Sequence, residues 1–118
     1  MSADSKWLSQ VKRGVLELAI LNIVKQRPVY GYEILKALST VRGLAVTAGT
    51  IYPLMSRLKR EGLLTSRLVE SPSGPARRVY ALSTDGEVYL LEINQAWKSL
   101  ATGMDQIIAR TTNIEEAS

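Results

Sequence analysis

The sequence contains neither cysteine nor histidine. Their absence excludes thiol nucleophiles, disulfides, the common zinc sites and every general-base scheme that depends on histidine. The sequence also lacks an apolar run of about 18 residues, the length that a membrane-spanning helix needs, and its first residues lack the apolar stretch of a signal peptide. We therefore expect a cytoplasmic protein that is not an enzyme, binds no metal or cofactor and does not associate with a membrane.

The 118 residues are 46% hydrophobic and 22% charged, which is typical of one ordinary globular domain. Residues 1–41 carry six basic and three acidic side chains, residues 42–80 carry seven and two, and residues 81–118 carry two and six. Positive charge is therefore concentrated in the middle of the chain, and the last third is acidic. This asymmetry favours a protein that presents one face to a polyanion, although a solvated basic surface has the same composition.

Two helices are predicted in the first third of the chain. The pattern is helical over residues 5–26, and residues 15–24 are apolar on nearly every side, which indicates a helix buried between its own domain and another subunit. Pro28 ends this helix, because the residue before a proline avoids helical geometry. A short second helix is predicted over residues 31–39, and Gly43 marks the loop that follows it.

A third helix is predicted from about Thr47 to Glu61, and Gly62 is suited to cap its end. Its N-cap is either Thr47 or Thr50, and only the second choice places Pro53 in the first turn, where proline does no harm. Apolar side chains at helical spacing form an inward stripe of Ile51, Leu54, Met55 and Leu58. The opposite side carries Gly49, Tyr52, Pro53, Ser56, Arg57 and Arg60.

A β-hairpin is predicted after the third helix. Residues 63–69 and 77–82 both have the composition of strands. The seven residues between them, 70–76, contain two prolines and a glycine, which predicts a mobile tip.

The last predicted element is a long helix that begins after Ser83 or Thr84 as its N-cap and ends near Arg110. Residues 111–118 are expected to form a frayed tail. Apolar side chains in this helix are spaced alternately three and four residues apart, as along one seam of a coiled coil. The predicted dimer interface consists of Leu90, Ile93, Trp97, Leu100, Met104 and Ile107.

Three helices followed by a hairpin are the elements of a winged helix-turn-helix, a mostly helical α+β fold. A DNA major groove accommodates one α-helix, so the outward side of the third helix is predicted to contact DNA. The candidate contacts on this helix are Thr47, Gly49, Thr50, Tyr52, Pro53, Ser56 and Arg57. Arg57 is long enough to reach guanine, although both Arg57 and Arg60 also fit a solvated face. At the base of the wing, Arg77 and Arg78 are predicted to bind phosphate or enter the minor groove, and alternation along a strand lets only one of them face DNA fully.

Three stretches of the sequence resemble the PadR family of bacterial transcriptional regulators. They are GYEILKAL in the second helix, GTIYPLMSRLKREGLL in the third, and the wing that ends in VYALSTDG. The resemblance covers about residues 12–110 and is most specific in the second of these stretches. In the wing, the family's usual Gly-Arg-x-Arg-Lys-Tyr-Tyr resembles residues 74–80, where the first arginine and one tyrosine are absent.

The resemblance implies a dimer formed through the last helix, and many family members repress a neighbouring operon until a small molecule binds. The short final helix is similar to that of the smaller subfamily, which includes multidrug-responsive repressors. The resemblance also favours a phosphate contact for Tyr32, whose alternative role is to cover the core. For Lys36, one turn later, phosphate contact and plain solvation are equally consistent with the sequence.

A candidate effector site follows from Trp97 in the last helix. Its simplest role is to pack in the dimer, but a flat ring near a two-fold axis also stacks well on a planar aromatic or hydrophobic ligand, an arrangement that resembles the family's drug-binding members. The first helix would supply the opposing wall with Val11, Gly14 and Leu18, which recur at helical spacing. Asn94, one turn before Trp97, would orient a polar ligand.

We therefore expect a homodimeric repressor that binds an inverted-repeat operator in double-stranded DNA. Residues 5–83 would form the DNA-binding domain, residues 84–110 the dimerisation helix and residues 111–118 a disordered tail. Two alternatives stay open: a winged helix that binds protein instead of DNA, and a constitutive DNA-binding protein without an effector. Binding that weakens steeply with salt would distinguish DNA from a protein partner.

Overall fold

The computed structural model describes residues 3–117, with side chains for residues 6–111. Within this range the chain forms four α-helices and one three-stranded antiparallel sheet. In chain order the elements are α1 (Ala3–Gln26), β1 (Val29–Tyr30), α2 (Gly31–Ser39), α3 (Ala48–Arg60), β2 (Leu64–Ser71), β3 (Gly74–Leu82) and α4 (Thr84–Ala117). The predicted mostly helical α+β class is confirmed. None of the helices in the described part of the chain is long and apolar enough to cross a membrane.

The sheet contains one strand that the sequence pattern did not predict. β1 is two residues long and pairs with β3 on the side opposite β2, so that Val29 lies beside Tyr80. Two residues are too few to show the alternation of apolar and polar side chains by which a strand is recognised in a sequence. This short pairing holds the start of α2 against the hairpin.

The hairpin is longer than predicted and its turn is tighter. Strand pairing continues out to Ser71 and Gly74, which leaves Pro72 and Ser73 to make the turn, and the register is irregular between Val69 and Ser71. The predicted seven-residue tip is therefore wrong. The ladder of backbone hydrogen bonds extends through residues that are weak strand formers, because backbone pairing does not depend on the side chain alone.

The core lies where α1, α2 and α3 meet the sheet and the first turns of α4. It consists of Leu16, Ile20, Leu21, Val24, Val29, Ile34, Leu38, Ile51, Met55, Leu58, Leu63, Leu64, Tyr80 and Leu90. In the inward stripe predicted for α3, Ile51, Met55 and Leu58 are fully buried. Burying one such side chain contributes roughly 1.5–3 kcal/mol. This stripe therefore determines which side of α3 points away from the domain.

The structure shows which residues cap the two ends of α3. Thr47 is the N-cap, with an extended backbone (φ −87°, ψ 163°), so Pro53 lies inside the helix and not in its first turn. Because proline has no N–H, the carbonyl of Gly49 lacks its helical hydrogen-bond partner. At the other end Gly62 has φ +80°, a conformation that glycine adopts without strain, and the predicted C-terminal cap is confirmed.

α4 begins with Ser83 as its N-cap, since Oγ of Ser83 accepts a hydrogen bond from the N–H of Gly86 at 2.9 Å. Leu90, two turns into this helix, is fully buried in the domain core. The prediction that Leu90 belongs to a dimer interface is therefore wrong, because this side chain already packs within its own domain. Ile93 is half-buried at the edge of the same core.

The later turns of α4 are exposed, from about residue 95 onward. Here the remaining members of the predicted seam, Trp97, Leu100, Met104 and Ile107, are 44–62% exposed. The helix continues to Ala117, so the predicted end near residue 110 was too early. Residues 111–117, predicted as a frayed tail, are helical, and Ser118 lies outside the described residues. The molecule is correspondingly elongated, with dimensions of 67 × 35 × 21 Å.

Candidate nucleic-acid interface

The side of α3 opposite the buried stripe is exposed to solvent. It carries Gly49, Thr50, Pro53, Ser56 and Arg60. The Thr47 side chain makes no capping hydrogen bond, and its hydroxyl lies at the exposed start of the helix. The first backbone N–H groups of a helix have no partners within the helix and attract anions. This side of α3 therefore combines hydroxyl donors, free N–H groups and one cation without bulky apolar side chains.

Tyr52 leans from α3 over the first residue of α2. A Cβ atom placed on Gly31 would lie 2.6 Å from Cε1 of Tyr52, closer than real Cβ contacts come. The ring can pack in this way only because residue 31 has no side chain. Tyr52 remains 39% exposed. Its ring is thus fixed at one edge of the outward face of α3.

A cavity of about 260 Å³ lies beside Tyr52, between the starts of α2 and α3 and the base of the wing. We call it the tyrosine cavity. It is lined by Tyr30, Gly31, Tyr32, Tyr52, Arg77, Arg78 and Tyr80. Burial raises the pKa of Tyr80 at its inner end. Four tyrosines and two arginines thus meet at one edge of α3.

Arg77 lies above two stacked tyrosine rings. The rings of Tyr30 and Tyr32 are 5.9 Å apart and inclined by 12°, and the guanidinium carbon of Arg77 is 5.9 Å and 5.6 Å from their centroids. Arg78 donates from Nη1 to Oγ of Ser66 at 3.0 Å. Both wing arginines line the tyrosine cavity. That only one of them faces DNA fully stays a prediction.

The start of α2 is held by Glu33. Its carboxylate accepts a hydrogen bond from the N–H of Tyr30 at 2.8 Å and pairs with Arg27 at 3.0 Å. These bonds, the one from the Tyr30 backbone first, lower the pKa of Glu33. They fix the turn that presents Tyr32, which is exposed together with Lys36 one turn later.

Arg57 is directed toward α1, not into the outward row of α3. Its Nη2 lies 3.2 Å from Oε2 of Glu17, and its Nε lies 3.7 Å from Oε1 of Glu61. The Arg57 side chain is only 31% exposed. We therefore correct the prediction that Arg57 reaches guanine, because two carboxylates already engage its guanidinium on the domain side.

Glu17 joins three helices, and the sequence analysis did not single it out. Besides Arg57 of α3, it binds Tyr89 of α4, whose hydroxyl donates to Oε1 of Glu17 at 3.1 Å. Burial, and then this hydrogen bond, raise the pKa of Tyr89. The signal was present, since Glu17 is the one charged residue in the apolar stretch from Val15 to Val24.

A second groove lies between α1 and α4, with a volume of about 280 Å³. We call it the α1–α4 groove. It is lined by Gly14, Glu17, Leu18, Tyr89, Ile93, Ala96, Trp97 and Leu100. Three of the five residues predicted for an effector site, Gly14, Leu18 and Trp97, are thus brought together here.

The other two predicted effector residues are placed differently. Asn94 forms a reciprocal amide pair with Asn22 of α1, with N–O distances of 2.9 and 3.0 Å. Both amide atoms of Asn94 are therefore used in holding α4 to α1, which corrects its predicted role in orienting a ligand. Val11 is exposed on α1 and does not line the α1–α4 groove.

Comparison with known proteins identifies the family. The family model described as "Transcriptional regulator PadR-like family" matches residues 20–103, from α1 to the exposed part of α4. The chain belongs to the PadR-like family of transcriptional regulators. It is 35% identical over 96 residues to a transcriptional regulator of Mycobacterium tuberculosis, an alignment that covers 80% of this chain and 86% of that protein.

Solved structures of PadR-family proteins have the same fold. A family regulator from Eggerthella lenta superposes with a TM-score of 0.77 at 32% identity, covering 88% of this chain and 90% of that one. A PadR-like regulator from Bacillus cereus superposes with a TM-score of 0.76 at 36% identity, covering 84% and 96%. The expected winged helix is confirmed, and the protein is a DNA-binding transcriptional regulator of a family that is not enzymatic.

Proposed function

We propose that this PadR-family regulator is a cytoplasmic homodimeric repressor that inserts α3 of each subunit into a major groove of an inverted-repeat operator. The observation that carries the proposal is the exposed side of α3, which combines hydroxyls, free helix N–H groups and Arg60. On this side we assign base and phosphate contacts to Thr47, Gly49, Thr50, Tyr52, Pro53 and Ser56. Arg57 is left out of this set, because its charge is already paired with Glu17.

Phosphate contacts from α2 and the wing would hold α3 in the groove. Tyr32 and Lys36 are exposed on α2, and Arg77 and Arg78 lie beside the tyrosine cavity at the base of the wing. Hydroxyl, ammonium and guanidinium groups bind phosphate oxygens without regard to sequence. These four side chains would therefore supply affinity, whereas the side of α3 would supply sequence preference.

The exposed seam of α4 supports a homodimer. Trp97, Leu100, Met104 and Ile107 recur every three or four residues and leave large apolar side chains in solvent. A row of this kind is stabilised when a second copy covers it. Trp7 and Leu8 on α1 are also large apolar side chains exposed to solvent. In such a two-fold dimer we expect the two α3 helices to enter successive major grooves about 34 Å apart.

The α1–α4 groove supports a small-molecule effector. It offers the ring of Trp97 and the space beside Gly14, where a Cβ atom would meet nothing within 4 Å. A planar aromatic ligand would stack on Trp97 at the dimer centre. The dimer would have a second arrangement, in which the spacing of the α3 helices does not fit DNA. To release DNA, the ligand must have a higher affinity for that arrangement than for the DNA-binding one.

Selection of bound fragments from random duplex DNA, followed by fluorescence anisotropy, tests the DNA part of the proposal. We expect an inverted repeat with half-site centres about 10 base pairs apart, and affinity that falls steeply with salt. A chain that binds no duplex would contradict the proposal. Binding that is insensitive to salt would instead favour a protein partner.

The effector part is tested with Trp97 as the probe in a Trp7→Phe variant, which leaves a single tryptophan. Quinoline-type planar aromatics are expected to quench its fluorescence and to release labelled operator at the same concentrations. Quenching without release would contradict the repressor mechanism. The absence of both would contradict the effector site and leave a constitutive DNA-binding protein.

A further inference from the structure

A groove between α1 and α3 carries positive charge on both walls. Its volume is about 560 Å³, and we call it the basic groove. Its polar lining comprises Ser9, Lys12 and Arg13 of α1 together with Thr50, Arg57 and Arg60 of α3. Among the residues that the structure describes, no acidic side chain lines it.

Three of the four cations in the basic groove have no acidic partner among the side chains of residues 6–111. Arg57 is held by the two carboxylates described above. Lys12, Arg13 and Arg60 make no ion pair with any side chain in the described range. Like charges gathered in one groove repel one another, and an anion between them would relieve that repulsion. The basic groove is therefore suited to an anionic partner.

The basic groove and the tyrosine cavity lie along opposite edges of α3. Thr50 lines the first and Tyr52 lines the second, and two residues along a helix correspond to a rotation of about 200°. A helix with its side chains is about 10–12 Å across, and the major groove of B-DNA is about 12 Å wide. A helix in that groove consequently has one sugar-phosphate backbone beside each of its edges.

We propose that the basic groove binds the DNA backbone on the side of α3 away from the wing, so that α1 is part of the DNA interface. Lys12, Arg13 and Arg60 contact phosphates of that strand, while the tyrosine cavity and wing face the other strand. Contacts on both edges of α3 fix its depth and register in the groove. This inference rests on the proposed function, because it requires α3 to occupy a major groove.

We choose DNA over another anion because the basic groove is continuous with the outward side of α3. Thr50 and Pro53 belong both to the lining of the basic groove and to the outward side of α3, so DNA on that side reaches the groove without a gap. The apolar floor, which includes Leu16 and Leu54, would also suit an acidic amphipathic protein segment. A protein segment in the basic groove would cover Thr50 and Pro53, which the proposed function assigns to DNA.

The salt dependence of DNA binding by a Lys12→Gln, Arg13→Gln double variant tests the inference. Each lost phosphate contact lowers the magnitude of the slope of log affinity against log salt by about 0.9, so we expect a decrease of about 1–2 between about 50 and 200 mM salt. Affinity should fall roughly tenfold or more for operator and for random duplex alike, because phosphates carry no sequence information.

The matched control is a Lys25→Gln, Lys98→Gln double variant, which removes the same net charge. Lys25 is thirteen residues from Lys12, about 20 Å along α1, and Lys98 is exposed on α4. This control should keep the wild-type slope, and Arg13→Lys alone should keep it as well. Circular dichroism and thermal melting establish that each variant is folded.

Three results would overturn the inference. If the slope of log affinity against log salt were equal for wild type and the Lys12, Arg13 variant, the basic groove would not contact DNA, and its ligand would be an acidic protein or a small anion. Equal losses in the test and control variants would mean that only net charge matters. A wild-type chain that binds no duplex would overturn the proposed function together with the inference, which distinguishes the two failures.

Discussion

Arg57 of α3 and Glu17 of α1 form an ion pair in which Nη2 lies 3.2 Å from Oε2. Because the other oxygen of Glu17 accepts a hydrogen bond from Tyr89, one carboxylate connects α1, α3 and α4. Glu17 and Tyr89 also line the α1–α4 groove. The helix that faces DNA and the groove proposed for a ligand therefore share a contact. A change in the spacing of α1 and α4 is expected to act on α3 through it.

Replacement of Glu17 by Gln should destabilise the domain by about 1–2 kcal/mol. The amide still accepts from Tyr89, but the half-buried Arg57 loses its closer carboxylate and keeps only the more exposed Glu61. Urea unfolding measures the change. The matched control is Arg27→Gln, which breaks the exposed pair with Glu33 and should shift the free energy of unfolding by less than about 1 kcal/mol. Equal effects of the two substitutions would contradict a special role for Glu17.

Tyr52→Phe should weaken operator binding by about 1 kcal/mol without lowering the melting temperature. The Phe ring keeps the packing over Gly31. The substitution removes only the hydroxyl, to which the proposed function assigns a DNA contact. Anisotropy at fixed salt measures the affinity. Ser99→Ala on α4 removes an exposed hydroxyl far from α3 and serves as the control. Unchanged operator affinity of Tyr52→Phe would show that this hydroxyl does not contact DNA.

Gly31→Ala is expected to lower both stability and operator affinity, the stability by about 1 kcal/mol. Alanine is intrinsically the better helix former, so local propensity alone predicts the opposite sign. The reason is steric, since the new Cβ would collide with the Tyr52 ring and displace it. In a Tyr52→Ala background the same substitution should be neutral or stabilising. A penalty of equal size in both backgrounds would show that Tyr52 is not the cause.

Local sequence patterns located all four helices of this fold, although they ended α4 too early and left the N-cap of α3 undecided. The 3.6-residue spacing of Ile51, Met55 and Leu58 identified the buried side of α3, and Gly62 identified its end. The same patterns did not reveal β1, which exists only because β3 offers an edge to Val29 and Tyr30. Such pairing depends on residues about fifty positions apart, which periodicity does not detect.

The candidate site was predictable in composition but not in orientation. An outward arginine such as Arg57 is predicted to contact DNA from its position on the helix, yet its side chain turns to Glu17, forty residues away. Asn94 likewise pairs with Asn22 across seventy-two residues. A polar side chain can pair with several kinds of partner, and the tertiary fold determines which partner lies within reach.

Leu100→Glu should convert a dimer into a folded monomer. Leu100 is 62% exposed in the isolated chain, so a charge there costs the domain little, whereas in the proposed interface two carboxylates would face each other across an apolar seam. Light scattering after size exclusion measures the mass. Gln95→Glu adds the same charge about 140° around α4 and should leave the dimer intact. An unchanged mass for Leu100→Glu would place the interface elsewhere.

The contribution of Tyr89 to stability should disappear at alkaline pH. Burial, aided by the hydrogen bond to Glu17, raises the pKa of Tyr89 above its usual value near 10, so the folded state holds this proton more tightly than the unfolded chain. The stabilisation is complete below about pH 10 and is lost as the pH rises through the folded-state pKa. Urea unfolding of wild type and Tyr89→Phe from pH 7 to pH 11 measures the difference between them. That difference should decrease with pH, since lysines titrate alike in both proteins, and a constant difference would mean that Tyr89 ionises equally in the folded and unfolded states.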